Sequence, residues 1–196
     1  GPVRVAVHMQ SGEEVAVKTY NLRTMSAKAK RALRHEVDIQ SSMDHPNIAK
    51  IKEVYKSEDN VHLVLELLGG GTLHERINER GTFGETEAAH AAAQLLRALE
   101  KVHSQNFMHR DVKPENLVYT GGDDTASTLK LIDFGLATSG AQSRRSCSGT
   151  PLYMAPEVSM GLYSSQADMW SAGAVIHAML TGRVVQHTPR SRMHIS

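Results

Sequence analysis

The sequence has little cysteine and no long hydrophobic run. Its 196 residues include one cysteine, Cys147, which excludes an internal disulfide, and its 11 histidines show no Cys/His pairing typical of structural zinc. No apolar stretch approaches the roughly 20 residues that span a bilayer, and residues 1–10 lack the apolar core of a secretion signal. We therefore expect no membrane span and a location in a reducing compartment, the cytoplasm or the nucleus.

The sequence also has no large excess of positive or negative charge. The 22 basic and 21 acidic side chains leave a formal net charge of +1, and the basic residues are scattered. A nucleic-acid-binding protein usually carries a clustered basic surface, so we expect no nucleic acid among the partners. Hydrophobic residues make up 40% of the chain and charged residues 22%, which is typical of a globular domain rather than a disordered chain.

The first third of the chain has the pattern of strands with one helix. A β-branched run at residues 15–18 predicts a strand, and a period of 3.6 residues predicts a helix over 26–43. Two more strands are predicted at 48–55 and 61–67. Three glycines at 69–71 then interrupt the pattern, which makes them the best candidate for a boundary between two lobes.

Beyond these glycines the pattern is mainly helical. An apolar stripe at residues 92–102 predicts a helix, and residues 82–85 fit a capping box at its start. Strands at 117–119 and 129–132 predict a hairpin, and residues 167–180 form an apolar helix. The sequence therefore predicts an α+β fold, with strands in the first lobe and helices in the second.

Lys18 and Glu36 are two charged residues in the strand-rich part. Lys18 belongs to the strand at 15–18, where a single lysine is more often a solvated edge residue. Glu36 lies beside Leu33 and Ile39 on the inward face of the helix, where a carboxylate is costly unless it is paired. An ion pair between Lys18 and Glu36 would satisfy both side chains.

The strongest chemical signal is the segment His-Arg-Asp-Val-Lys-Pro-Glu-Asn at residues 109–116. One loop between a helix and a hairpin holds a potential base, a cation and a neutral oxygen ligand, although a polar turn with accidental charges is the alternative. Asp-Phe-Gly follows the next strand, at residues 133–135. A carboxylate at the end of a strand is a natural ligand for a hard cation.

Together and in this order, these segments resemble the motif set of the eukaryotic protein kinases. The resemblance extends over about residues 1–185 and includes Val-Ala-Val-Lys at 15–18, Ala-Pro-Glu at 155–157 and Asp-Met-Trp-Ser-Ala-Gly at 168–173. It implies a bilobal kinase fold with a small strand-rich N-lobe and a helical C-lobe.

The same resemblance predicts a fold that is incomplete at both ends. The N-lobe, residues 1–68, lacks most of the family's Gly-rich loop, and the C-lobe, residues 69–186, lacks the final helices. Residues 187–196 form an irregular tail without periodicity. We therefore expect a partial catalytic domain; the alternative is a catalytically incompetent fragment that acts as a binding or scaffold module.

The activity that the resemblance implies is transfer of a phosphoryl group from ATP, with Mg²⁺, to hydroxyl groups of protein substrates. Lys18 would neutralise the α- and β-phosphates and would be oriented by Glu36. Asn116 and Asp133 would hold the metal ion.

The resemblance implies that Asp111, Lys113 and Thr150 belong to the catalytic set. Asp111 would accept the proton of the substrate hydroxyl, and Lys113 would steady the transferring group. Lysine at this position, together with Thr150 after Gly149, resembles the serine/threonine branch of the family.

The resemblance also defines a set of contacts to ATP. Leu65 takes the gatekeeper position, and Glu66 and Leu68 would offer backbone hydrogen bonds to adenine. The full implied set is Gly1, Val3, Ala16, Lys18, Leu65, Glu66, Leu68, Val118 and Asp133.

The subgroup is indicated by residues 36–39, 44–48 and 154–158. These segments resemble the calcium/calmodulin-dependent group, in particular the calcium-dependent protein kinases. The sequence contains no EF-hand pattern, so a calcium-sensing regulatory region would lie outside this chain.

Two further positions bear on regulation. Ser146 is a candidate phosphorylation site that Arg110 would pair with, the alternative being an ordinary loop serine. Gln40 stands where the family usually has an apolar residue that packs on Phe134. It is either a tolerated variation or a source of weaker packing in the active state.

Overall fold

Four antiparallel strands and one helix form the first lobe. The computed structural model describes residues 2–121, 127–139, 149–160 and 164–183. The strands β1 (Val3–Val7), β2 (Glu14–Asn21), β3 (Ile51–Lys56) and β4 (Asn60–Glu66) form a sheet in the order β1-β2-β4-β3, and helix α1 (Ala27–Ser41) joins β2 to β3. Gly1, Ser146 and the predicted tail at 187–196 lie outside the described residues.

Helix α1 forms where the sequence pattern predicts it. The side chain of Ser26 caps its start by accepting a hydrogen bond from the N–H of Ala29 at 3.2 Å. Leu33, Ile39 and Gln40 are its buried residues, so the helix turns one side inward. This rotation directs Glu36 toward β2.

The second lobe contains three helices and two small strand pairs. Helices α2 (Leu73–Arg80) and α3 (Glu85–Ser104) contact the hairpin of β6 (Leu117–Tyr119) and β7 (Leu129–Leu131), and helix α4 (Ser165–Thr181) packs on α3. Strand β5 (Phe107–Met108) pairs with β8 (Thr138–Ser139). The hairpin and the apolar helix α4 agree with the sequence pattern. The predicted α+β fold with two lobes is thereby confirmed, whereas the residue limits assigned to the lobes stay predictions.

The larger hydrophobic core joins α3 and α4 to the hairpin of β6 and β7 and to the end of α1. Leu95, Leu99 and Val102 of α3 are almost fully buried, as are Val175 and Met179 of α4. In the described ranges, no helix combines the length and apolar character needed to cross a bilayer.

The strand predicted at 48–55 begins later than expected, because its first residues pair with the second lobe. The N–H of Ala49 donates to the carbonyl of Leu131 at 3.0 Å, and the N–H of Leu131 donates to Asn47 at 2.9 Å. The buried amide of Asn47 also donates to the carbonyl of Leu129 at 2.9 Å and to Oε1 of Gln94 at 3.0 Å. Residues 47–49 are therefore fastened to β7 and α3.

The three glycines between the lobes are held on β6. The N–H groups of Gly69 and Gly70 donate to the carbonyls of Thr120 and Tyr119, and Gly71 accepts from Tyr119. A Cβ on Gly70 would lie 2.7 Å from the Cβ of Tyr119, so only glycine permits this approach. The guanidinium of Arg76 stacks 3.6 Å above the Tyr119 ring and donates to the Gly70 carbonyl.

The capping box predicted at Thr82 and Glu85 is wrong. Helix α3 begins after Gly84 without a side-chain cap, whereas Thr72 and Glu75 form a capping box at the start of α2. Phe83 accounts for the difference, since its buried side chain and its hydrogen bond to the Met179 carbonyl draw this turn onto α4.

Candidate active site

Lys18 and Glu36 form an ion pair in the first lobe, and both side chains line the cleft. Nζ of Lys18 in β2 lies 3.7 Å from a carboxylate oxygen of Glu36 in α1, and both side chains are largely shielded from solvent. The Lys18 ammonium also lies 5.2 Å from the centre of the Tyr20 ring. The predicted ion pair is thus present, with an aromatic neighbour that sequence analysis did not include.

The pKa values of the pair reflect burial and a third charge. Burial lowers the pKa of Lys18, but Tyr20, Glu36 and Asp133 outweigh that effect and hold it above its ordinary value. Burial raises the pKa of Glu36, and the Lys18 ammonium opposes this while Asp133 adds to it. Asp133 is therefore close enough to act electrostatically on both residues.

Asp133 follows β7 in a left-handed backbone conformation, with φ of +62°. Its Oδ1 accepts a hydrogen bond from the N–H of Gly135 at 3.1 Å. A Cβ on Gly135 would lie 3.1 Å from that oxygen and 3.4 Å from Oε2 of Glu36. Gly135 therefore leaves room for two carboxylates on opposite sides of the cleft to approach each other.

The loop at residues 109–116 forms a closed network around Asp111. Its Oδ2 lies 2.7 Å from Nζ of Lys113, and its Oδ1 accepts from the hydroxyl of Thr150 at 2.8 Å. Lys113 donates in turn to the Thr150 hydroxyl at 2.9 Å. Burial raises the pKa of Asp111, but Lys113, Thr150 and Asn116 more than compensate, so its pKa lies below the ordinary value.

Asn116 is buried beside Asp111 and faces it with its amide nitrogen. Nδ2 donates to the backbone carbonyl of Asp111 at 2.8 Å and to its Oδ2 at 3.0 Å. This network assigns the orientation of the amide. In the part of the chain that the structure describes, Oδ1 of Asn116 has no hydrogen-bond donor, so it is available to a cation.

Asp168 is a positioning residue whose role sequence analysis missed. Its carboxylate, buried at the start of α4, accepts the backbone N–H groups of His109 at 2.9 Å and Arg110 at 2.8 Å, and lies 2.8 Å from Nε2 of His103. Arg110 has a φ of +71°, an unfavourable conformation for a side-chain-bearing residue. An isolated carboxylate in an apolar helix was the sequence signal that could have identified Asp168.

His109 is fully buried under this loop. Its Nε2 lies 3.0 Å from the Ile132 carbonyl, and its Nδ1 accepts the N–H of Asp111 at 3.3 Å. Both contacts suit a neutral ring with the proton on Nε2. Burial is the main reason that the pKa of His109 is lowered.

A cavity of about 300 Å³ lies between the lobes beside Lys18. Nine of the residues implied by the family resemblance line it: Val3, Ala16, Lys18, Glu36, Leu65, Glu66, Leu68, Val118 and Asp133. The N–H of Glu66 donates to the Lys50 carbonyl, so only its carbonyl could reach an adenine. The backbone of Leu68 has neither donor nor acceptor partner within the described ranges.

These features fit a nucleotide with a bound magnesium ion. The cavity has the size and apolar walls of a ligand pocket, and Leu68 supplies unpaired backbone groups at its rim. No group of three His, Cys, Asp or Glu side chains that could hold a metal occurs among the described residues. Mg²⁺ usually takes one or two protein ligands and completes its shell with phosphates and water, which agrees with Asp133 and Asn116 alone.

Comparison with known proteins identifies the family. The protein kinase domain model matches residues 1–195. Calcium-dependent protein kinase 5 of Plasmodium falciparum is 38% identical over 184 residues, covering 93% of this chain and 32% of the relative.

Two relatives from Arabidopsis thaliana agree. Calcium-dependent protein kinase 25 is 39% identical over 186 residues, 93% of this chain and 36% of the relative. Serine/threonine-protein kinase ATG1a is 40% identical over 185 residues, 92% and 29% of the two chains. The chain thus spans about a third of the length of these relatives. The resemblance inferred from the motifs is confirmed: the chain belongs to the protein kinase family, and the relatives named here are calcium-dependent and serine/threonine-protein kinases.

Proposed function

We propose that this chain transfers the γ-phosphoryl group of ATP, in the presence of Mg²⁺, to serine or threonine hydroxyls of protein substrates. The observation that carries the proposal is the network in which Asp111 receives hydrogen bonds from Thr150 and Asn116 and pairs with Lys113. Such a network fixes a carboxylate in its ionised form on the loop that also carries Asn116, one of the two residues proposed to hold the metal ion.

Bound ATP and Mg²⁺ would supply the transferable group and compensate the charge that builds on the phosphates. Lys18, held by Glu36, binds and orients the α- and β-phosphates. Asp133 and Oδ1 of Asn116 would hold the metal ion. Ala16, Leu65 and Val118 exclude water from the adenine, and Leu68 offers it backbone hydrogen bonds.

Asp111 accepts the proton of the substrate hydroxyl on its carboxylate, of which Oδ2 faces Lys113 and Oδ1 faces Thr150. Its lowered pKa keeps it ionised at neutral pH, so it orients the hydroxyl before it takes the proton. Proton transfer by a positioned side chain usually contributes about 10²–10⁴ in rate. Lys113 stays close enough to place a positive charge beside the transferring group.

The proposal also covers how the activity is regulated. The printed names of two relatives describe calcium-dependent kinases. We place any calcium sensing in a region outside these 196 residues, so removing Ca²⁺ with a chelator should leave the activity of this chain unchanged. Phosphorylation of Ser146, whose phosphate would pair with Arg110, is a second level of control, tested by comparing the activity of Ser146→Ala with that of the original chain.

Transfer of radiolabel from ATP to a peptide with one serine tests the activity, with the same peptide carrying alanine as the control. Asp111→Asn should reduce turnover by at least about 10²-fold while nucleotide affinity stays within about twofold. Asp133→Asn should instead remove the Mg²⁺-dependent part of nucleotide affinity. Asp44→Asn, at an exposed side chain, is the matched control.

Nucleotide binding without any transfer to serine peptides would favour the alternative of a kinase-like binding module. Equal loss of Mg²⁺-dependent affinity in Asp111→Asn and Asp133→Asn would contradict the roles assigned to these two carboxylates.

A further inference from the structure

Gln40 is a buried amide in the wall of the cleft. It lies four residues after Glu36 on α1, so the two side chains share one face of the helix and are one turn apart. The residue is 5% exposed and lines the inner end of the cavity together with Ala49 and Ile132. A buried polar side chain destabilises the fold unless it is hydrogen-bonded, so the Gln40 amide requires a partner.

The partner of Gln40 is a backbone carbonyl outside its own helix. Nε2 donates to the carbonyl oxygen of Ala49 at 2.8 Å. The N–H of the same residue donates to the carbonyl of Leu131 at 3.0 Å. Leu131 ends β7, and Asp133 follows two residues later. Two hydrogen bonds that meet at one alanine therefore connect the helix of Glu36 to the strand that leads to Asp133.

These contacts fix α1 at two points. Within the described ranges, its side chains form polar contacts with other strands or segments only at Glu36, which faces Lys18, and at Gln40. The apolar contacts of Ile39 attach the helix to the core but do not require one orientation, because hydrophobic contact is non-directional. A hydrogen bond weakens steeply when its angle changes, so Gln40 restricts the rotation of α1 about its axis.

We propose that Gln40 is a positioning residue whose amide fixes the rotation of α1, and thereby aims Glu36 at Lys18, by fastening the helix to the segment that is bonded to β7. The inference rests on the proposed function, because it takes Lys18, Glu36 and Asp133 as the groups that handle the nucleotide. It assigns a purpose to a polar side chain at a position where an apolar one was expected. An apolar residue would fill the space but would leave the Ala49 carbonyl without this donor.

Hydrogen exchange measured by mass spectrometry tests the contact without any ligand. Gln40→Met keeps the length and burial of the side chain but removes the amide, and Leu33→Met places the same side chain at another buried position of α1 that forms no polar contact. The α1 amides should exchange about 5- to 150-fold faster in Gln40→Met, the range that corresponds to one unpaired buried carbonyl. The same change in both variants, or none in Gln40→Met, would overturn the proposal.

A double-mutant cycle separates positioning from general stability. The dissociation constant of Mg·ADP is measured for Gln40→Met, for Glu36→Gln and for the double variant. If Gln40 acts through Glu36, adding Gln40→Met to Glu36→Gln should change that constant by less than about twofold. If the two losses multiply, Gln40 acts independently of Glu36 and the positioning role is wrong.

Different results would contradict the proposed function and the role of Gln40. A parent chain that binds no nucleotide would contradict the proposed function. The exchange rates of α1 would still decide whether Gln40 fastens the helix.

Discussion

Oδ1 of Asp168 lies 2.8 Å from the backbone nitrogen of Arg110, the residue directly before Asp111. The same carboxylate accepts the N–H of His109, so α4 holds two consecutive peptide groups of the loop at residues 109–116. A non-glycine residue with positive φ costs about 1–3 kcal/mol and persists only where its surroundings impose it. The hydrogen bond to Asp168 imposes the positive φ on Arg110. This backbone conformation places Asp111 next to Lys113 and Thr150.

Asp168→Asn should lower the free energy of unfolding by about 1.5–3 kcal/mol, the usual value for a hydrogen bond to a charged group, because an amide NH₂ cannot accept a backbone N–H. Turnover should fall more than nucleotide affinity, since the displaced loop carries Asp111 and not Lys18. Urea denaturation and steady-state kinetics measure the two effects. Asp44→Asn, at an exposed carboxylate, is the control, and equal stability of the two variants would contradict the prediction.

Gly70→Ala should destabilise the protein by about 1–3 kcal/mol, the typical cost of an overpacked site. Its new methyl group would lie 2.7 Å from the backbone nitrogen of Gly121 and from the Cβ of Tyr119. Gly69→Ala is a matched control, because its methyl group would meet nothing nearer than the Thr120 carbonyl at 4.0 Å. Thermal denaturation should separate the two variants, and similar melting temperatures would show that the linker adapts freely.

Thr150→Val should reduce turnover by about tenfold or more, because it removes a hydroxyl that donates to Asp111 and accepts from Lys113. Nucleotide affinity should change little, since Thr150 does not line the cavity beside Lys18. Thr150→Ser retains the hydroxyl and should keep most of the activity. A serine variant as impaired as the valine variant would show that the methyl group, rather than the hydroxyl, is required.

His109 should make the protein less stable below about pH 6.5, the ordinary pKa of an unfolded histidine. Its lowered pKa keeps the folded ring neutral while the unfolded chain takes up a proton, so its contribution is complete above that pH and is lost as the pH falls toward the folded pKa. Between pH 7.5 and 5.5 the loss is at most about 1.4 kcal/mol. His109→Gln should flatten the pH dependence by that amount relative to the exposed His35→Gln, and parallel curves would contradict the prediction.

Elements defined by local patterns could be predicted from the sequence. Helix α1 follows from its apolar period and from Ser26, and the hairpin of β6 and β7 follows from two short apolar runs around a glycine-rich turn. The ion pair of Lys18 with Glu36 could also be anticipated, because a carboxylate on an inward helix face needs a cation. Each of these depends on residues close in sequence or on one obvious pairing.

Contacts between distant segments could not be predicted in the same way. Phe83 moves the start of α3 by bonding to Met179, and nothing near Thr82 signals this. The three glycines predict a break in the chain but not that Gly70 must approach Tyr119 within contact distance. Gln40 is visible in the sequence as a polar residue on the inward face of a helix. Its partner, the Ala49 carbonyl, cannot be predicted, because Ala49 is placed there by the packing of residues 47–49 on β7.

The attachment of the glycine linker to β6 decides where the lobes can pivot. Glu66 belongs to the sheet, and Gly69 and Gly70 are bonded to Thr120 and Tyr119, so a bending motion has to be taken up by Leu67 and Leu68. Leu68 is also the residue with unpaired backbone groups at the rim of the cavity. A nucleotide that used those groups would stiffen the pivot itself, so the release of product and the opening of the lobes would be a single event.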